Sequence, residues 1–317
     1  MKKVVPWDHN VYERRGYIMR ILVTDGMSKS AIAQLKEYGH EVAEQFFEPD
    51  ALGAALQEFD CVVVRSKTKV RANHIDEAVK GRLKLIIRGG VGVDNIDVAY
   101  AESKGIAVRN TPCASSASVA ELALGHMFSL ARYIGISNAT MRAGQWNKKQ
   151  YEGTEIGGKT LGLIGFGRIA QELAKRAEAL GMKIVYNRRS GVNEEFPQYT
   201  YMPLEELLKV SDYVSLHIPM PADKKPVLGE AELSMMKPTA FLINTARGGV
   251  VAEDALVKAL NEGWISGAAL DVFEEEPTAN TALCNHPQVS VTPHIGGQTA
   301  EAQSRIGDEI VSIIMGF

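Results

Sequence analysis

The 317-residue chain has little of what marks several classes of protein. It contains only three cysteines, Cys61, Cys113 and Cys284, and their wide spacing fits neither a disulfide framework nor a zinc site. No apolar run approaches the roughly 20 residues of a membrane span. The net charge is only −3, so neither sign dominates enough to indicate nucleic acid or a membrane surface as a partner. These absences favour a cytoplasmic protein without a metal site.

What the chain does contain is a regular alternation of short apolar segments with helical patterns. One series runs from Arg20 to Val108, and a second from Leu161 to Val291. This alternation predicts open parallel sheets of the α/β class. A long helix is predicted from about Ser118 to Ile134. The last helix, Ala300 to Ile314, has no strand after it, so we expect it to pack back on the first series.

The polar start of the chain differs from both series. Residues 1–18 are aperiodic, and the first convincing strand begins directly after Met19. We therefore expect residues 1–18 to be an N-terminal extension, or Met19 to be the natural start. The start is also unlike a secretory signal, because it lacks a sustained apolar segment.

The most informative segment of the chain is a glycine pattern between an apolar strand and a helix. Gly165, Gly167 and Ala170 form Gly-x-Gly-x-x-Ala. Gly165 permits a tight turn, Gly167 lets the backbone approach a pyrophosphate, and Ala170 lets the helix pack close to the strand. The amides of Arg168 and Ile169 would open a helix N-terminus, where the helix dipole favours an anion. The segment predicts a dinucleotide site.

Three polar side chains follow strand ends in the second series, where ligands bind in open α/β sheets. Arg247 precedes two glycines, and its guanidinium can hold a carboxylate through two parallel hydrogen bonds. Glu276 lies against Pro277 in an acidic turn, and His294 lies between a proline and two glycines. A histidine beside a carboxylate can take up and release a proton near neutral pH. Taken singly, each could equally be a surface ion-pair residue or a structural histidine.

Four motifs in this order resemble the D-isomer-specific 2-hydroxyacid dehydrogenases. They are Gly-Phe-Gly-Arg-Ile-Ala, Asn-Thr-Ala-Arg-Gly-Gly, Asp-Val-Phe-x-x-Glu-Pro and Pro-His-Ile-Gly-Gly, and the likeness covers nearly the whole chain from Met19. The resemblance implies an oxidoreductase that moves a hydride between NAD(P) and a small D-2-hydroxy acid. It also implies that Arg247, Glu276 and His294 are catalytic.

The family implies two α/β domains. A Rossmann-type, doubly wound cofactor domain, expected over residues 112–296, is inserted into a smaller flavodoxin-like substrate domain, expected over 19–111 and 297–317. Asp271 is expected to fix the nicotinamide carboxamide or the catalytic loop. The full set of expected cofactor contacts is Val91, Gly165, Gly167, Arg168, Ile169, Arg188, Arg189, His217, Ile218, Pro219, Thr245, Ala246, Arg247, Asp271, His294, Gly296 and Gly297.

The first series resembles the phosphoglycerate dehydrogenases within the family. The segment from Arg65 to Val70 is similar to their phosphate-reading loop, and that from Arg88 to Asn95 to their substrate-carboxylate loop. Cations after a buried strand suit a phosphate, and glycine-rich amides can cradle a carboxylate; an exposed basic loop is the competing interpretation. The expected substrate contacts are Arg65, Ser66, Lys67, Gly90, Val91, Gly92, Arg247 and His294. The most favoured substrate is therefore 3-phosphoglycerate, which places the reaction in serine biosynthesis.

The sequence departs from the pattern of the family at two places. Arg188 and Arg189 stand where NAD-preferring relatives carry an acid, so two cations could bind a 2′-phosphate and NADP(H) is favoured; NAD(H) stays open if both arginines are solvated. Ser115 replaces an asparagine of the phosphoglycerate enzymes. The departures favour an alternative, an NADPH-dependent glyoxylate or hydroxypyruvate reductase. A dinucleotide-sensing corepressor is an alternative of a different class.

The resemblance also bears on assembly and regulation. The helix beginning at Ser118 resembles the dimer-forming element of the family, and the segment from Trp146 to Lys148 matches a basic segment near the neighbouring subunit's site. A homodimer is therefore expected. Because the sequence ends at Phe317, we do not expect the C-terminal regulatory domains of longer relatives, or feedback by serine through them.

Overall fold

The computed structural model describes residues 17–317 of the chain, so the predicted extension lies almost wholly outside the described residues. The described part forms two compact units. One comprises residues 17–114 and 303–317, and the other residues 115–302. The roles predicted for them, substrate domain and cofactor domain, remain predictions at this point.

The first unit is built on a five-stranded parallel sheet of order β2-β1-β3-β4-β5 within the described residues. Its strands are β1 (Arg20–Val23), β2 (Glu41–Glu44), β3 (Cys61–Val64), β4 (Leu85–Arg88) and β5 (Ala107–Asn110). Its helices are α1 (Lys29–Glu37), α2 (Pro49–Leu56), α3 (Ala72–Ala78) and α4 (Val98–Ser103). This strand order is the flavodoxin-like one that was predicted.

The second unit has a seven-stranded parallel sheet of order β12-β11-β10-β9-β6-β7-β8 over residues 115–302. Its strands are β6 (Thr160–Ile164), β7 (Lys183–Asn187), β8 (Thr200–Tyr201), β9 (Tyr213–Leu216), β10 (Phe241–Asn244), β11 (Gly267–Leu270) and β12 (Val289–Val291). Its helices are α5 (Ser116–Arg132), α6 (Ile134–Arg142), α7 (Arg168–Ala179), α8 (Leu204–Val210), α9 (Glu230–Ser234), α10 (Glu253–Asn261) and α11 (Thr281–Cys284), with a 3₁₀ turn at Lys148–Gln150. Counted from β6, the order is the Rossmann order 3-2-1-4-5-6 with one further edge strand.

Helices cover both faces of each sheet, as a parallel sheet requires. In the first unit the final helix α12 (Ala300–Met315) buries Ile306, Ile310 and Ile314 against Ile21 and Ile87 of the sheet. The expectation that this helix packs back on the first series is therefore confirmed. None of the helices over residues 17–317 is both long enough and apolar enough to cross a membrane.

The long helix predicted to reach Ile134 was wrong at its C-terminal end. Helix α5 stops at Arg132, because Tyr133 adopts a left-handed conformation with φ of 55°, and α6 begins directly after it. A single left-handed residue ends an α-helix and reorients the next one. Helix α5 also packs Ala123, Met127 and Leu130 into the core of its own unit.

The turn after β6 lies where the strand order of the second unit reverses. Strand β6 pairs with β7 on one side and with β9 on the other. Gly165 has φ of +87°, and a Cβ at this position would collide with the carbonyl oxygen of His217, which follows β9. The turn after β6 is therefore packed against the segment after β9, at the reversal point where open α/β sheets bind ligands.

This packing predicts that Gly165→Ala is much more destabilising than a matched glycine substitution. Gly181, which follows α7, has a similar φ of +82°, but its nearest neighbour is an atom 3.9 Å from the added Cβ. Gly181→Ala should lower the free energy of unfolding by about 1–2 kcal/mol through backbone strain alone. Gly165→Ala should cost about 1–3 kcal/mol more through the collision. Urea denaturation measures both, and equal losses would contradict the prediction.

Candidate active site

His294 and Glu276 form a close hydrogen-bonded pair in the second unit. His294 Nδ1 lies 2.6 Å from Glu276 Oε2, and Oε1 accepts a hydrogen bond from the Phe273 amide at 3.2 Å. An ionised carboxylate only accepts hydrogen bonds, so Nδ1 carries the proton in this pair. Nε2 is then the nitrogen left to exchange a proton, and the His294 side chain is 31% exposed.

The environment of Glu276 keeps its carboxyl group ionised. Burial by itself raises the pKa of Glu276, but the hydrogen bond and the attraction of His294, the Phe273 amide and the attraction of Arg247 outweigh it. The net result is a pKa below the ordinary value of a glutamate. Arg247, in the same unit, is thus among the charged groups that lower this pKa.

The buried carboxylate of Asp271 holds the loop that carries His294. Asp271 is 1% exposed, and it accepts hydrogen bonds from Thr292 Oγ1 at 2.6 Å, the Ile295 amide at 2.8 Å and the Gly296 amide at 2.9 Å. His294 sits inside this arrangement with φ of 54°. Such a conformation persists in a residue other than glycine where the surroundings fix it.

Arg247 lies in a turn after β10 that is shaped by Asn244. Asn244 Nδ2 donates to the Arg247 carbonyl at 2.9 Å, and Asn244 Oδ1 accepts from the Ala246 amide at 3.1 Å. A Cβ at Gly248 would collide with the carbonyl of Phe273, so glycine allows this turn to approach the segment that leads to Glu276. The guanidinium of Arg247 is half-buried.

The residues around the glycine turn fit a dinucleotide. Helix α7 begins at Arg168, and its N-cap Gly167 gives no side-chain cap, which leaves its first amides available to an anion. No atom lies within 4 Å of the position where Gly167 would carry a Cβ. Within the described residues, Thr245 Oγ1 is buried without a hydrogen-bond partner. A bound nicotinamide nucleotide could satisfy both features.

Two further predicted cofactor segments follow β7 and β9. His217, Ile218 and Pro219 come directly after β9, and His217 Nε2 lies 2.9 Å from Ser215 Oγ. Burial lowers the pKa of His217 to about 3, so this imidazole is neutral.

The two arginines after β7 have different surroundings. Arg188 donates to the carbonyl of Gly191 at 2.7 Å and to that of Val192 at 2.6 Å. The exposed Arg189 makes no hydrogen bond or ion pair within the described part of the chain. Arg188 therefore builds the loop, whereas Arg189 presents a solvated cation.

In the first unit, the Arg65 loop is organised by Asp25, at the end of β1. Asp25 Oδ2 accepts from the Arg65 amide at 2.7 Å and the Thr68 amide at 3.0 Å, and Thr68 Oγ1 donates to Oδ1. Burial lowers the pKa of the Arg65 guanidinium, against the attraction of Asp25. No described residue forms an ion pair with Arg65. Lys67 Nζ lies 3.8 Å from the centre of the Phe46 ring.

The second predicted loop of this unit follows β4. Its backbone is fixed at Gly90, whose carbonyl accepts from the Thr111 amide at 3.1 Å, and at Val91, whose carbonyl accepts from Asn110 Nδ2 at 2.5 Å. The amides of Val91 and Gly92 make no such backbone hydrogen bond within residues 17–317. They fit the predicted cradle for a carboxylate.

Several residues that hold these loops were missed in the sequence. They are Asp25 and Asn244, described above, and three more. Asn95 Nδ2 donates to the carbonyls of Arg65 and Thr68, Ser118 Oγ donates to the carbonyl of Gly296, and His126 contacts the hydroxyls of Ser290 and Thr292. Asp25 and Asn244 stand at the carboxyl ends of strands, a position that could have marked them. Ser118 and His126 lie on a helix, where neither a motif nor the spacing gave a signal. No group of three or more histidine, cysteine, aspartate or glutamate side chains in residues 17–317 is arranged to hold a metal.

Comparison with known proteins adds an independent line of evidence. Residues 124–296 match the family described as D-isomer specific 2-hydroxyacid dehydrogenase, NAD binding domain. A hydroxypyruvate reductase of Thermotoga maritima is 44% identical over 299 residues, which are 93% of this chain and 97% of that protein. A D-3-phosphoglycerate dehydrogenase of Methanocaldococcus jannaschii is 43% identical over 92% of this chain, which spans only 56% of that relative.

A solved structure shows the same fold with a bound nucleotide. It is an NADPH-dependent glyoxylate/hydroxypyruvate reductase of Sinorhizobium meliloti in complex with NADP and malonate. Its TM-score with this chain is 0.81 at 31% identity, and the match covers 92% of this chain and 91% of that one.

Proposed function

The chain belongs to the D-isomer-specific 2-hydroxyacid dehydrogenases, NAD(P)-dependent oxidoreductases that act on CH–OH groups, and we propose that it interconverts 3-phosphoglycerate and 3-phosphohydroxypyruvate. The observation that carries the proposal is the His294–Glu276 pair at 2.6 Å, with Arg247 acting on it from the same unit. This unit also contains the glycine turn after β6 that fits a dinucleotide.

The proposed mechanism assigns one task to each of the three side chains. His294 Nε2 takes the hydroxyl proton in oxidation and returns it in reduction, while Glu276 holds Nδ1 and stabilises the charged imidazole. Arg247 holds the substrate carboxylate through its guanidinium fork, which orients the carbon that reacts. Gly165, Gly167 and Thr245 are among the residues that would hold the nucleotide, which when bound supplies or accepts the hydride.

The choice of a phosphorylated acid rests on Arg65. Arg65 is half-buried, and Asp25 attracts its guanidinium. The carboxylate of Asp25 is hydrogen-bonded to the Arg65 amide and to Thr68 instead, and no acidic side chain within residues 17–317 forms an ion pair with Arg65. A partly buried cation is stabilised by an anionic partner, and a phosphate offers several charge-assisted hydrogen bonds. Ser66 and Lys67 extend this loop, and the Val91 and Gly92 amides are proposed to assist in carboxylate binding.

Reduction of hydroxypyruvate or glyoxylate is the second candidate. Ser115 departs from the phosphoglycerate pattern, and the Thermotoga maritima relative, which this chain spans almost completely, is a hydroxypyruvate reductase. The exposed cation of Arg189 favours NADP(H) over NAD(H) in either reaction, because it can attract a 2′-phosphate.

We also infer that two copies of the chain pair, and that the enzyme acts in the cytoplasm. Helix α6 buries none of its residues within its own chain. Ile134, Met141 and Trp146 are exposed on and just after this helix. Clustered exposed apolar side chains are typical of an interaction surface.

The inferred location in the cytoplasm is supported by the cysteines. All three are free thiols, which suits a reducing compartment.

A panel of substrates tests the proposed function. Initial rates with 3-phosphohydroxypyruvate, hydroxypyruvate and glyoxylate, each with NADH and NADPH, should give the highest kcat/KM for the phosphorylated acid, by about 10- to 100-fold, because a hydrogen bond to a charged group contributes about 1.5–3 kcal/mol. Arg65→Met should reduce this preference, whereas Lys69→Met, which removes an exposed cation of the same segment, should keep it.

Preference for an unphosphorylated acid supports the second candidate. No turnover with any 2-keto acid, together with tight nucleotide binding, supports the corepressor alternative.

Removal of the imidazole tests the assigned proton transfer. His294→Ala should lower kcat by about 10²–10⁴-fold, the usual contribution of a general acid or base. Nucleotide affinity, measured by fluorescence titration, should change little, and His286→Ala serves as a matched histidine control. Near-normal turnover of His294→Ala would remove this residue from the mechanism.

The different surroundings of the two arginines after β7 predict different effects. Arg189→Ser should lower kcat/KM for NADPH about tenfold or more and leave NADH nearly unchanged, because a charge-assisted contact is lost. Arg188→Ser should weaken both nucleotides, because it removes the bonds to Gly191 and Val192 that shape the loop. Kinetics with both nucleotides measures the difference. If Arg188→Ser, and not Arg189→Ser, lowered kcat/KM for NADPH more than for NADH, Arg188 rather than Arg189 would be the residue that selects the nucleotide.

A further inference from the structure

His126 connects a core helix to the segment that precedes His294. It lies on α5 and is 4% exposed. Its Nδ1 is 3.0 Å from Ser290 Oγ on β12, and its Nε2 is 3.0 Å from Thr292 Oγ1 directly after that strand. Both nitrogens of a buried imidazole are thus engaged by the strand end that leads into the loop.

The connection continues from Thr292 to the backbone around His294. Thr292 Oγ1 donates at 2.6 Å to Asp271 Oδ1. That carboxylate in turn accepts the amides of Ile295 and Gly296, and the His294 amide donates to the Asp271 carbonyl at 2.8 Å. A continuous path of hydrogen bonds therefore runs from His126 to both sides of the left-handed residue.

The path has a defined direction. The single hydroxyl hydrogen of Thr292 is used on Asp271, so its oxygen can only accept from His126. Nε2 must then carry the imidazole hydrogen, which leaves Nδ1 without one, 3.0 Å from the hydroxyl oxygen of Ser290. Ser290 Oγ itself donates to Ser129 Oγ at 3.2 Å. Burial lowers the pKa of His126, against the attraction of Asp271, which agrees with a neutral ring. A neutral ring with hydrogen on Nε2 satisfies Thr292 and Asp271, the two groups through which the path reaches His294.

We propose that His126 is a positioning residue for the reaction: by fixing the hydroxyl of Thr292, it holds Asp271 in the orientation that aims the imidazole of His294. The inference rests on the proposed role of His294 in proton transfer. His126 acts only through Thr292 and Asp271, and it is not assigned any contact with the substrate or the nucleotide.

The physical reason is the conformation of His294. A left-handed backbone is unfavourable for a residue other than glycine, so the conformation of His294 depends on the donors and acceptors around it. Asp271 has rotational freedom about its side-chain bonds unless its partners are fixed. Removing the His126 donor leaves the Thr292 hydroxyl free to rotate away from Asp271, which loosens the loop. Small displacements of a catalytic group are costly, since about 1 Å can reduce the rate about 10²-fold.

The test compares variants that remove or keep a donor at this position. His126→Leu should lower kcat by about 10- to 100-fold and change the KM for 2-keto acid and nucleotide less than about threefold. His126→Gln, whose amide can still donate to Thr292, should recover most of this loss. Ser129→Ala, on the same helix and 3.2 Å from Ser290 Oγ, is the matched control and should keep the parent kcat.

Thr292→Val keeps the test decisive if His126→Leu does not fold. Valine has the shape of threonine without its hydroxyl, so this variant should show the same loss of kcat. The double variant should be no slower than the slower single variant, because both act on one path. The inference would be overturned if Thr292→Val and folded His126→Leu both kept a kcat within about twofold of the parent. It would also be overturned if His126→Gln had parental stability but a kcat as low as that of His126→Leu.

The same variants in a His294→Ala background separate the two proposals. If His126 acts through His294, His126→Leu should not reduce the residual rate further. An additional tenfold loss in that background would contradict the inference and leave the proton-transfer role intact. Parental activity of His294→Ala by itself would instead contradict the proposed function.

Discussion

The arrangement of the candidate site depends on one buried carboxylate. Asp271 is almost fully removed from solvent, and burial of an ionised group is unfavourable unless hydrogen bonds replace its hydration. A hydroxyl and two consecutive amides supply those bonds, and together they fix the turn on either side of His294. The imidazole thereby reaches Glu276, whose own carboxylate is held by a backbone amide. If the side chain of Asp271 were absent, the left-handed conformation of His294 would lose its main support.

Parallel topology explains how residues far apart in the sequence share one site. In a parallel sheet every strand ends at the same edge, so the residues after neighbouring strands become spatial neighbours. Arg247, Asp271 and His294 follow β10, β11 and β12, which are adjacent in the sheet. The glycine turn follows β6, at the point where the strand order reverses. Sequence separation of more than 100 residues is therefore compatible with a compact constellation.

The same reasoning shows which features the sequence could predict. Strand ends and the residues after them follow from local patterns, so the glycine turn, the three polar residues and both sheets were accessible, and the sheet orders agree with the fold class that was predicted. The break at Tyr133 was not accessible, because a tyrosine gives no signal for a left-handed conformation. The difference between Arg188 and Arg189 depends on which guanidinium reaches the carbonyls of a following loop. His126 has the helical spacing of a core residue of α5 in the sequence, and only the packing of α5 against β12 gives it polar partners.

Specificity within the family has a different physical origin from catalysis. A carboxylate and a neighbouring hydroxyl or keto group are common to all the acids considered, so the Arg247–Glu276–His294 constellation treats them alike. The atoms that distinguish a phosphorylated acid lie at its other end and carry most of its charge. A half-buried cation discriminates best when no internal acid neutralises it, because the ligand then supplies the compensating charge. Arg65 is half-buried and forms no ion pair within the described residues, although Asp25 attracts it. Arg189 is exposed, so its attraction for a 2′-phosphate is weaker. Under the proposed function, selection of the acid would depend on Arg65 and selection of the nucleotide on Arg189, whereas the proton transfer would depend on the turn that Asp271 holds.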